Sequence, residues 1–271
     1  MKRLLLDKLL IWKTKEIRKP LVIDGARQTG KTYLLQTLLG NEFEKTLRLD
    51  FLENPGLSEA FEGSLSPEAI ITNIELLTRQ VFNAKTDLLI LDEIGECPRA
   101  VTALKYFAEK APDYYIAASG SNIGLLSAFP VGKVEQHNLR PLTFYEFLLA
   151  SEESALIKAY ENQLNSAAAH SKLFDTLTDY YFTGGMPEAV ATWFAMADSS
   201  ILERVDAVSS VQADLVEGYK RDFGKYSGKL DAQLIESLFT NIPSQLSSVF
   251  DGSVKRFKFK GVFERRSRYA D

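Results

Sequence analysis

Cysteine and histidine are nearly absent from this chain. One cysteine, Cys97, and two histidines, His137 and His170, are all that its 271 residues contain. A single thiol excludes an intramolecular disulfide and any multi-cysteine metal cage, and it fits a reducing compartment. Two histidines far apart in sequence argue against a histidine-built zinc site and against a histidine-dependent nucleophilic triad; each reads as a partly exposed imidazole. Long apolar runs are missing too, since none approaches the ~18 residues of a membrane span. The start, Met1-Lys2-Arg3-Leu4-Leu5-Leu6, has the charge and apolarity of a signal peptide, but Asp7 and Lys8 interrupt it. The sequence therefore predicts a cytoplasmic protein with no membrane partner.

What is present fits a globular chain with an ordinary apolar share, long enough for one large domain or two modest ones. The formal charge of −4 is unevenly spread: residues 1–19 and 252–271 each carry seven Lys/Arg against two carboxylates. The acidic excess lies between them, so an anionic partner at the ends is permitted but not demonstrated.

Residues 25–32 read Gly25-Ala26-Arg27-Gln28-Thr29-Gly30-Lys31-Thr32, a complete G-x-x-x-x-G-K-[ST] phosphate loop. The preceding Pro20-Leu21-Val22-Ile23-Asp24 reads as a short buried strand. Leu34, Leu35, Leu38 and Leu39 then fall on one face of a helix. Strand, glycine loop and helix are the setting in which backbone N–H groups converge on a phosphate at the positive end of a helix. The expected nucleotide-binding stretch is thus 25–32 with the following Tyr33. Lys31 supplies charge for the β/γ-phosphates of ATP, Thr32 a hydroxyl for Mg²⁺, and Gly25 and Gly30 the close approach and backbone angles.

Further strands are expected over 45–51, 88–92, 114–118 and around 133–139, and helices over 66–80 and from Pro98, the latter with Val101, Leu104, Phe107 and Ala108 inward. Leu5, Leu6, Leu9 and Trp12 mark a short amphipathic helix ahead of them. Strands alternating with helices predict an α/β fold with a parallel sheet. The alternation stops near residue 145. From there to about 243 the pattern is helical, broken at Thr183-Gly184-Gly185-Met186-Pro187, and Ile242-Pro243 reads as the start of another short helix. The domain reading is an α/β core over 1–150, a helical lid over 151–226 and the start of a winged-helix segment over 227–271.

Leu88-Leu89-Ile90-Leu91 ends in Asp92-Glu93. An aspartate closing a buried apolar strand downstream of a phosphate loop can hold Mg²⁺ beside Thr32, and a following glutamate can polarise the water that attacks the γ-phosphate. One strand intervenes in sequence, the order found in additional-strand P-loop ATPases, where the metal-binding strand is not the spatial neighbour of the loop strand. Ser119, Ser121 and Asn122 follow the next strand, and a small polar group there can orient the attacking water; an ordinary turn is the alternative. Arg99 and Arg140 are candidate arginine fingers or plain structural cations. Asp50 has no assigned role.

Taken together these segments resemble the AAA+-related bacterial and archaeal ATPases that carry domain of unknown function 4143. The matching pieces are the loop at 25–32, Leu91-Asp92-Glu93-Ile94, Ala118-Ser119-Gly120-Ser121, Phe129-Pro130-Val131-Gly132-Lys133-Val134, Pro141-Leu142-Thr143-Phe144-Tyr145-Glu146-Phe147 and Gly184-Gly185-Met186-Pro187-Glu188. The resemblance implies ATP and Mg²⁺ as cofactors, with Lys31, Thr32, Asp92 and Glu93 in their motif positions. Such proteins continue past this length, so Tyr269-Ala270-Asp271 reads as a truncation within the winged helix. The basic stretch 255–268, in which Lys258 and Lys260 alternate with Phe257 and Phe259, reads either as a nucleic-acid contact or as a solvated edge strand.

The expectation is an α/β P-loop ATPase with catalytic Glu93, Lys31 and Ser121, metal ligands Thr32 and Asp92, ATP/ADP as ligands and an unidentified protein partner. A slow nucleotide-dependent switch and a small-molecule kinase are the alternatives.

Overall fold

The computed structural model describes residues 1–121, 123, 129–226 and 229–247. The apolar segments at the start of the chain become β1 (Leu21–Asp24), β2 (Lys45–Asp50), β3 (Asp87–Asp92), β4 (Tyr115–Gly120) and β5 (Glu135–Asn138). All pair in parallel, in the order β2-β3-β4-β1-β5. β4 therefore lies between β1 and β3, as the additional-strand reading requires. It runs two residues past its apolar stretch, because Ser119 and Gly120 continue the ladder opposite Ile23 and Asp24.

Both faces of the sheet are covered, which is why β3 is continuously apolar from Leu88 to Leu91 rather than alternating. Leu88 and Ile90 pack with Leu9 and Trp12 of α1 (Leu5–Thr14) and with Leu34, Leu35 and Leu39. Leu89 and Leu91 face the other way. They join Ile70 and Ile74 of α2 (Pro67–Thr78) and Val101, Leu104 and Phe107 of α3 (Pro98–Lys110). Each such side chain contributes about 1.5–3 kcal/mol by burial. Ala108, expected inward, is only half-buried.

The segment after the phosphate loop departs from an ordinary α-helix. Tyr33–Leu39 is π-helical and Gly40–Glu42 closes it with a 3₁₀ turn. The wider turn puts Leu34, Leu35 and Leu39 in the core and leaves Leu38 half-buried, where a 3.6-residue period predicts all four inside. Wide turns of this kind concentrate at functional sites.

Beyond the sheet come α4 (Phe144–Ser151), α5 (Ser154–Glu161), α6 (Ala167–Thr183), α7 (Pro187–Ala195), α8 (Ile201–Tyr226) and α9 (Lys229–Ser247). Aromatic rings join α4 to α6 and α7: Phe147 lies 5.5 Å from Tyr180 and 4.8 Å from Phe194 between centroids. The chain divides into two compact units, Met1–Val208 and Ser209–Asp271. In the second, Phe223 meets Phe239 edge-on at 5.5 Å. Ile242-Pro243 does not begin a helix there; Pro243 lies inside α9, four residues from its end. The missing N–H removes one bond near the terminus, which the turns already formed tolerate. The basic stretch 255–268 lies outside the described residues. No described helix is long and apolar enough to cross a membrane.

Candidate active site

Strand register gathers the chemistry at one edge of the sheet. Asp50 and Asp92 are partners across the β2–β3 ladder, and Asp24 partners Gly120 across β1–β4. The carboxyl ends of four strands thus open together on the side where the loop 25–32 sits. In open α/β sheets this is the edge that carries the ligand site.

The two loop glycines are required for different reasons. A Cβ on Gly25 would stand 2.3 Å from the carbonyl oxygen of Leu139 and φ there is +153°, so both the backbone that follows β5 and the local conformation demand glycine. Gly30 has φ +89° and a Cβ there would make only ordinary contacts, at 3.7 Å with Arg3 and Pro187, so its need is conformational. Gln28 holds a left-handed backbone at φ 63°, which no sequence signal announced. Ala26, Arg27 and Gln28 are exposed at the crest, whereas Thr29 is fully buried and its hydroxyl donates to the Ala26 carbonyl at 2.8 Å. Tyr33 is exposed, and its hydroxyl accepts from the Met1 amino group at 3.3 Å.

Lys31 is 6% exposed. Its Nζ donates to the carbonyls of Gly25 and Ala26 at 3.0 Å each and to Ser121 Oγ at 3.3 Å. Burial pulls its pKa below the ordinary lysine value, against the opposing pull of Glu93 and Asp92. The Thr32 hydroxyl donates to Asp92 Oδ2 at 2.9 Å, and the buried Ser119 hydroxyl donates to Asp92 Oδ1. Glu93, at φ 50°, has a left-handed backbone, a strain that persists at sites which use it. Burial raises its pKa above the ordinary carboxyl value, with Lys31 pulling the other way. The structure thus brings together Lys31, Thr32, Asp92, Glu93 and Ser121. Asn122 lies outside the described residues.

Three contributors escaped the sequence reading. Arg48 of β2 places its Nε 2.8 Å from Asp92 Oδ2 and pairs with Asp50 through Nη2. Asp50 Oδ1 in turn accepts from the amides of Leu52 and Glu53 at 3.0 and 2.9 Å. Arg3 and Glu146 form the second feature, a buried ion pair at 3.1 Å with side chains 4% and 5% exposed. Arg3 also donates to the Thr29 carbonyl in the loop at 2.7 Å and to the Arg140 carbonyl at 2.5 Å. Glu146 closes the capping box of α4 with Thr143 and accepts the Leu4 amide at 2.9 Å. Around the same joint, the Leu142 amide donates to the Gly185 carbonyl at 2.6 Å, and a Cβ on Gly185 would stand 2.3 Å from the Leu142 carbonyl oxygen.

Arg99 is a structural cation, donating to the Phe61 and Gly63 carbonyls at 2.6 and 2.8 Å. Arg140 is exposed. His137 contacts Glu135 at 3.3 Å, His170 is exposed and Cys97 is buried.

Residues 17–148 match the family model of an AAA domain. That stretch holds the loop, all five strands and the start of α4, and the α/β P-loop NTPase fold read from the sequence is the fold of this AAA-matching core. Residues 174–262 match a second model, domain of unknown function DUF8612, and not the domain 4143 that the sequence reading expected. No curated protein matches the chain in sequence. Among solved structures, that of C. elegans PCH-2 is similar at 15% identity and a TM-score of 0.40, over 72% of this chain and 60% of that one. The chain therefore spans less than two thirds of that structure's length.

The donor set suits ATP with Mg²⁺. Thr32 and Asp92 offer hard oxygens, and no group of three His, Cys, Asp or Glu able to hold a metal occurs among the described residues. An ion bound here must complete its shell with water and phosphate oxygens, which is how Mg²⁺ prefers to bind.

Proposed function

We propose that this chain binds ATP with Mg²⁺ at the loop edge of the sheet and hydrolyses it to ADP and phosphate, the turnover gating a conformational change. The observation that carries the reading is the convergence of Lys31, Thr32, Asp92 and Glu93 from two strands that β4 separates. The loop amides and Lys31 hold the phosphates, and Thr32 and Asp92 hold the metal, which supplies charge neutralisation on the β- and γ-phosphates when bound. Glu93 orients the attacking water and takes its proton, a task its raised pKa favours. Ser121, whose hydroxyl accepts from Lys31 at 3.3 Å, orients the attacking water in this reading. Phosphate release by wild type and by Glu93→Gln, with nucleotide binding followed separately, tests this; equal turnover in both removes Glu93 from catalysis.

One observation favours a second reading, a slow nucleotide switch. Lys31 is bonded to loop carbonyls, and Asp92 accepts from Thr32, Ser119 and Arg48. Those bonds must rearrange before chemistry begins. Tight ATP binding with negligible turnover selects the switch.

A further inference from the structure

Arg48 has no place in the phosphate-loop chemistry, yet it touches the residue on which metal binding depends. It stands on β2 two residues before Asp50, so the two side chains share a face, and Asp50 is the register partner of Asp92. Arg48 Nε and Nη2 both lie 2.8 Å from Asp92 Oδ2. That is the same oxygen that accepts the Thr32 hydroxyl. Nη2 also pairs with Asp50 Oδ2. The Asp92 side chain is 1% exposed, whereas that of Arg48 is 27% exposed and that of Asp50 17%.

A carboxylate this deeply buried needs a counter-charge before any ion arrives. Arg48 supplies it. A divalent cation approaching Thr32 and Asp92 meets this positive charge at the same oxygen. Asp50, fixed by two backbone amides, offers the guanidinium a second seat, and its planar fork can hold both carboxylates at once.

We propose that Arg48 is an internal counter-cation that competes with Mg²⁺ for Asp92, sets the metal affinity of the nucleotide site, and passes to Asp50 alone when metal binds. This rests on the ATP–magnesium reading of the site.

The test is Mn²⁺ binding to the full chain with ADP present, read from the free-ion electron paramagnetic resonance signal. ADP binding and thermal melting are followed in parallel. Arg48→Met removes the competitor and tightens Mn²⁺ binding about tenfold, the scale for deleting one unit charge a few ångströms away after solvent screening. Asp50→Asn removes the second seat, leaves Arg48 on Asp92, and weakens Mn²⁺ binding several-fold. General loosening of the fold cannot move the two variants in opposite directions. Unchanged or weaker binding in Arg48→Met overturns the proposal; should that variant fail to fold, unchanged or tighter binding in Asp50→Asn overturns it. If wild type binds neither ADP nor Mn²⁺, the ATP–magnesium reading falls and takes this one with it. If wild type binds both and the variants match it, only the role of Arg48 falls.

Discussion

Thr32, beyond β1, and Asp92, at the end of β3, are joined by a hydrogen bond of 2.9 Å although β4 lies between those strands. The bond is possible because the loop carries Thr32 across the end of β4, whose last residues Ser119 and Gly120 are small. Ser119 then braces the far oxygen of the same carboxylate. A bulkier β4 terminus would hold the two apart.

Lys31→Met removes the ammonium group that bonds the loop carbonyls. ATP affinity should fall about 10–100-fold, the worth of a charge-assisted bond, while the melting temperature stays level or rises because a buried charge is gone. Titration calorimetry with ATP and a thermal melt check both halves.

Glu93→Gln should cost about 10²–10⁴ in turnover, with ATP binding retained. The same variant carries a pH signature. Burial raises the folded pKa of Glu93 above 4.5, so the folded chain keeps this proton where the unfolded chain has lost it. Stability therefore declines as pH climbs from 4.5 through the raised value. Wild type and Glu93→Gln should melt together below pH 4.5, and the variant should pull ahead as pH rises through that window. Melting curves across pH decide it.

Arg3→Ala leaves the Glu146 carboxylate buried without its partner, at a cost of about 3–5 kcal/mol. Replacing both with Met should cost far less. Urea midpoints of the two variants distinguish loss of the pair from loss of packing.

Gly25→Ala drives a Cβ into the Leu139 carbonyl and should destabilise by about 1–3 kcal/mol or more. It also shifts the loop, so nucleotide affinity falls with stability. Gly30→Ala meets no atom closer than 3.7 Å and should cost only its backbone strain, about 1–2 kcal/mol. Comparing denaturation midpoints of the two variants tests whether crowding or conformation governs each glycine.

The sheet and the phosphate loop were legible because their signals are local. A buried run ending in Asp92-Glu93 and a glycine loop after an apolar strand each declare themselves within ten residues. Arg48 and Arg3 were not legible, since their partners come from strand pairing and from a segment far along the chain. A hint existed for Arg48: strand alternation puts it on the same face as Asp50. For Glu146 the Thr143-x-x-Glu spacing is a capping-box signal that went unread, and nothing in that string names Arg3. Leu38 was misplaced because a 3.6-residue period does not describe a π-helical turn. Ala108 sits at the edge of its helical face, where periodicity cannot separate inside from half-inside.

The arginine at position 3 grips the phosphate loop with one nitrogen and the cap of α4 with another. A displacement of that loop must therefore either haul the α4 cap with it or tear open a dry ionic joint. Loop and cap are thereby tied through one buried side chain, from the Thr29 carbonyl to the Glu146 carboxylate, and neither end can shift alone without exposing a charge.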